Sequence, residues 1–165
     1  MKKVLLASTI LLSLYGIMAT SVLAGGTIQG TVSLTTKDGT VIYADWLRVL
    51  LVRDKIAVPP LPDLAAINKF EKMNAIRTAH VDFFVAACGR LAEPGFVIDS
   101  KTTTPEGSFF FDAIPAGTYY LLVTLPAMIK TYKVAWQVPV KITSGETVSV
   151  QLNNQNMLLP TYCRD

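Results

Sequence analysis

The chain has 165 residues, 51% of them hydrophobic and 16% charged, a composition that excludes intrinsic disorder. Its formal charge of +3 owes two units to Lys2 and Lys3 at the extreme start, and without them 13 basic residues face 12 acidic ones. Cations scattered singly in so even a balance exclude a nucleic-acid footprint and a polybasic membrane patch.

Met1-Lys2-Lys3 is a short basic start, residues 4–18 form a charge-free apolar run, and Ser21-Val22-Leu23-Ala24 places small residues where signal peptidase cuts. This pattern predicts a secretory signal peptide over residues 1–24 and a mature chain over 25–165, secreted or periplasmic. The apolar run is short and is soon followed by Gly25-Gly26 and a strand-like pattern, so no stable membrane span is expected. No cysteine stands directly after the cut, which argues against a lipoprotein.

Residues 27–34 alternate apolar and polar, the period of a half-buried strand, and Lys37-Asp38-Gly39 turns the chain. Residues 47–53 are apolar on both faces between charged positions and predict an interior strand. Pro59, Pro60 and Pro62 then end sheet pairing, because proline cannot donate to the ladder.

The period changes next. With Asp63 as N-cap, Leu64, Ile67, Phe70, Met73, Ile76, His80, Phe83 and Ala87 follow at spacings of three and four, predicting one helix over about 63–89. After Pro94-Gly95, short strands are expected over 96–99, 108–112, 118–125, 131–142 and 147–153. They are separated by the glycine turns Pro105-Glu106-Gly107, Pro115-Ala116-Gly117 and Ser144-Gly145-Glu146. About seven short strands with such punctuation predict a mainly β domain, an antiparallel β-sandwich with one inserted α-helix.

The two cysteines, Cys88 and Cys163, are an even count in a chain read as exported, so a Cys88–Cys163 disulfide is the default expectation. It would close a loop of about 75 residues, a constraint on the order of 4 kcal/mol in the chain-entropy view. The alternative is a buried free thiol at Cys88, with Cys163 free in the tail or paired between chains.

The run from Thr104 to Leu121 reads T-x-x-G-x-F-x-F-x-x-I-P-x-G-x-Y-x-L, through Gly107, Phe109, Phe111, Ile114, Pro115, Gly117 and Tyr119. It resembles the corresponding run of carboxypeptidase regulatory-like domains, whose fold is a transthyretin-like (prealbumin-like) β-sandwich. Gly30-Thr31-Val32 resembles that family's opening strand and residues 138–152 its closing pair. The resemblance lapses between about residues 54 and 96, where the family has only a short connection and this chain has its helix. It implies a scaffold rather than an activity.

Enzymatic readings fail on counting. His80 is the only histidine and lies on the apolar stripe, where a structural role is expected. A zinc peptidase needs two histidines and a carboxylate, similar sandwich dioxygenases need two histidines and two tyrosines, and the transthyretin-like hydroxyisourate hydrolases need several histidines and a C-terminal Tyr-Arg-Gly-Ser that Thr161-Tyr162-Cys163-Arg164-Asp165 does not match. Pilin-like and collagen-adhesin B-type domains of similar architecture form Lys–Asn isopeptide bonds with an acid late in the strand after the G-x-Y turn; Lys37 and Asn153 or Asn154 are loosely placed for one here, but Leu122-Val123-Thr124-Leu125 has no acid, so none is expected. No enzyme, cofactor or metal site is therefore expected.

Phe109 and Phe111 are expected on one face of their strand and Phe110 on the other. Because several strands are apolar on both faces, the helix stripe, with Phe70, Met73, Ile76 and Phe83, is expected to lie as a lid over an outer sheet face. The rival is that the stripe is a partner or subunit interface. The function expected is a non-enzymatic binding or structural module of the cell envelope or exterior, engaging a protein or glycan. The alternative is a self-assembling subunit of a surface filament, and an unrecognised hydrolase is the remote third.

Overall fold

The computed structural model describes residues 25–163, so the expected signal peptide lies outside the described residues. Two four-stranded sheets pack face to face, with one helix on the outside of the second. In the first sheet β1 (Gly26–Thr35) is central. It pairs with β10 (Thr147–Leu152) on one side, and with β5 (Ser108–Ile114) and β2 (Val41–Tyr43) on the other. The second sheet runs β4 (Val97–Thr102), β3 (Arg48–Val52), β6 (Gly117–Val123), β9 (Trp136–Ile142), antiparallel throughout.

The fold is thus a mainly β sandwich with one helix, but β1 and β10 are parallel. The strands exceed the expected seven by four: the three-residue β2 and the two-residue β7 (Met128–Ile129), β8 (Tyr132–Lys133) and β11 (Tyr162–Cys163), the last three forming a small sheet of their own. The expected strand over 131–142 is broken at Val134 and Ala135, both fully buried.

Alternation puts Ile28, Val32, Phe109, Phe111, Leu121, Val140, Ile142 and Leu152 between the sheets, each at most 4% exposed. Gly30 is needed there for a close approach. A Cβ on it would sit 2.2 Å from the Val150 carbonyl oxygen and 2.5 Å from the Phe109 ring.

The helix α1 (Lys69–Leu91) begins six residues later than expected. Asn68, not Asp63, is the N-cap: its side chain accepts from Glu71 N–H at 3.0 Å while the Glu71 carboxylate accepts from Asn68 N–H at 3.2 Å. Asp63 instead accepts from Ala65 N–H at 2.9 Å in a local turn. The preceding loop is pinned to β9, since Gln137 accepts from Ile56 N–H at 2.6 Å and donates to the Ile56 carbonyl at 2.9 Å. The helix buries Ile76, Ala79, His80, Phe83 and Ala87. A second core, containing Phe83 and Ala87 with Leu50, Val52, Ile56, Phe96, Leu122 and Leu159, joins it to the outer face of β3 and β6.

Candidate functional site

The helix covers one outer sheet face and leaves the other to solvent. On that open face, the outward residues of three strands fall into two rows fixed by register. Ser149, Gln29 and Phe110 form one, and Gln151, Thr31 and Ser108 form the next. Thr102, Thr104 and Lys101 close the β4–β5 corner, so the face becomes the wall of a groove of about 780 Å³. Its floor includes the backbone of Gly30, whose missing side chain would point inward onto Phe109.

The groove's polar groups are uncharged save one. Gln29 Nε2 donates to Ser149 Oγ at 3.0 Å, and the single lining cation, Lys101, is neutralised by Asp99 at 3.1 Å. Phe110 is 52% exposed, a large aromatic kept in water beside amides and hydroxyls. Its exposure departs from the expectation that the helix covers the second face of this strand. The reason is topological: β5 pairs with β1, whereas the helix packs on β3 and β6.

The six residues expected to carry the site do not converge. Ile76 and Phe83 are 5% and 0% exposed under the helix, while Phe70 and Met73 are 75% and 37% exposed. Steps of three residues fall about 60° short of a full turn, so Phe70 has rotated some 120° away from Ile76. Cys88 and Cys163 are both exposed and free, and the expected disulfide is absent. Cys88 follows the buried Ala87 and so turns outward, while Tyr162, next to Cys163, packs edge-on against His80 at 5.0 Å.

Among the described residues no group of three or more His, Cys, Asp or Glu side chains is placed to hold a metal ion. No helix among them is long and apolar enough to cross a membrane.

No protein-family model matches the chain, and no curated protein matches it. Among solved structures, a candidate carbohydrate-binding protein of Pseudomonas aeruginosa aligns at 19% identity over 82% of this chain and 92% of its own, with a TM-score of 0.46. A minor pilin of Streptococcus agalactiae aligns at 11% identity over 79% of this chain and 44% of its own, with a TM-score of 0.47. The pilus backbone of Streptococcus pneumoniae aligns at 10% identity over 78% of this chain and 41% of its own, with a TM-score of 0.37.

Proposed function

We propose that this chain is an exported, non-enzymatic binding module whose β10–β1–β5 groove engages an uncharged glycan. The observation that carries the reading is the two-row array of Ser149, Gln29, Phe110 and Gln151, Thr31, Ser108. A pyranose ring offers an apolar C–H face ringed by hydroxyls that both donate and accept. An exposed phenyl ring matches the first, and the amides and hydroxyls of this array match the second. With Lys101 already paired, the groove has no free cation for a phosphate or sulfate. The lining also holds no His, Asp, Glu or Cys to act as base or nucleophile, which supports binding without turnover. Export is supported by the leader pattern of residues 1–24.

Retention on immobilised neutral and anionic oligosaccharides tests this. The intact protein should be retained by neutral members, and Phe110→Ala should lose that retention with its unfolding midpoint unchanged. Equal retention of the two proteins, or retention by anionic members alone, would contradict the reading.

Assembly is the second reading, favoured by the outward face of α1. Phe70, Val81 and Val85 are 75%, 44% and 63% exposed there, on the side that also carries Cys88. Size-exclusion chromatography separates the two readings, since a monodisperse monomer contradicts obligate assembly.

A further inference from the structure

The helix does not cover the whole outer face of the second sheet. Past its C-terminal turn, beyond the Leu50–Leu122 pair, the strands leave a recess of about 460 Å³ walled by Phe84 and Leu91 of α1 and by the 125–128 loop. This volume lies within the range of small-molecule sites. The lining is apolar with two exceptions, Arg48 and Thr124, which stand one step further along β3 and β6 on the face shared by Leu50 and Leu122.

Only the charged one is available to a ligand. Arg48 is exposed and gives its Nε–H to Ser100 Oγ at 2.8 Å but makes no ion pair among the described residues. The Thr124 hydroxyl has almost no accessible surface and does not open into the recess. At the mouth stands Trp46, 75% exposed and held at φ +54°, a left-handed conformation unusual for a bulky residue. Buried hydrogen bonds bracket it: Thr103 Oγ1 donates to the Ala44 carbonyl at 2.6 Å and accepts from Leu47 N–H at 2.9 Å.

We propose that this recess binds a medium-chain alkyl carboxylate, its chain against Leu50, Leu122, Phe84 and Leu91 and its carboxylate at Arg48. Charge complementarity selects the head group. A carboxylate takes the guanidinium N–H groups of Arg48 that Ser100 leaves free in charge-assisted hydrogen bonds, whereas an ammonium head would be repelled and an alcohol would gain only a neutral acceptor's weaker bond. The site is separate from the glycan groove and stands or falls independently of it.

Titration of the intact protein with decanoate, decan-1-ol and decylamine below their micelle concentrations tests the proposal. Trp46 fluorescence is the readout, against the fully buried Trp136. Decanoate should bind saturably and at least tenfold tighter than decan-1-ol, with decylamine weaker still. Arg48→Met should bring decanoate down to the level of the alcohol. Ala127→Phe, which fills the recess, should abolish binding of both, and Phe110→Ala should bind decanoate as the parent does. The proposal is overturned by absence of saturable decanoate binding, by equal affinity for acid and alcohol in the parent protein, or by undiminished binding in Ala127→Phe. Capture by anionic lipid vesicles without binding of free decanoate would also overturn it, because it would assign Trp46 to a membrane surface.

Discussion

His80 Nε2 lies 2.9 Å from the carbonyl oxygen of Pro160, tying the middle of α1 to the C-terminal tail across the second core. The carbonyl can only accept, so Nε2 carries a proton, while Nδ1 is buried and unpartnered. Protonation would place a second N–H where nothing accepts it. Burial therefore holds the pKa of His80 below its ordinary 6.5, opposed by the Pro160 bond and reinforced by the positive charge of Lys133.

The sign of the pH dependence follows. Below about pH 6.5 the unfolded chain takes up a proton that the folded chain refuses, so the stability contributed by neutral His80 is complete above that value and declines as pH falls toward the folded pKa. The slope from one proton cannot exceed about 1.4 kcal/mol per pH unit. Urea unfolding between pH 7.5 and 5 should show this decline, and His80→Gln should remove it. An unchanged slope in that variant would contradict the assignment.

Truncations along α1 should separate its two faces. Phe83 is fully buried in the second core, so Phe83→Ala should lose about 3 to 5 kcal/mol. Phe70 is 75% exposed, and Phe70→Ala should stay within about 0.5 kcal/mol. Denaturant midpoints measure both, and comparable losses at the two positions would refute the packing described.

Gly107 closes the turn before β5 at φ +76°, and a Cβ there would come within 2.5 Å of the Val32 carbonyl oxygen. That oxygen belongs to backbone already paired with Ala44 N–H at 3.0 Å, so it cannot yield without disturbing the ladder. Gly107→Ala should therefore destabilise by more than the roughly 1 to 3 kcal/mol of a strained φ alone. Gly39, at φ +85° with open space around it, should lose only that conformational part, and the difference between the two variants isolates the clash.

Alkylation of the native protein should modify two thiols, because Cys88 and Cys163 are exposed and free. Recovery of a single peptide pair linking the two residues would restore the intramolecular disulfide. A dimer linked through Cys88 would instead support assembly through the helix.

What the sequence disclosed was mostly local. The alternation of Phe109, Phe110 and Phe111 correctly separates two buried rings from one that faces away, because strand faces have period two. The environment of that other face was not legible, since it depends on β5 pairing with β1 rather than β3, a contact distant in sequence. The Asn68-x-x-Glu71 capping box was available as a start signal, but Asp63 is an equally good cap in isolation and Leu64-Ala65-Ala66-Ile67 between them holds no helix breaker to arbitrate. The groove itself was invisible because its six outward residues come from three strands and carry no spacing motif. Parallel pairing of β1 with β10, which sets Ser149 beside Gln29, follows only from the closed sandwich.

Amide chemical-shift mapping tests the glycan groove most directly. On titration with a neutral oligosaccharide retained by the protein, the largest shifts should fall at Gln29, Thr31, Ser108, Phe110, Ser149 and Gln151, with α1 unaffected. Shifts centred on Phe70, Val81 and Val85, or spread without a cluster, would contradict the account.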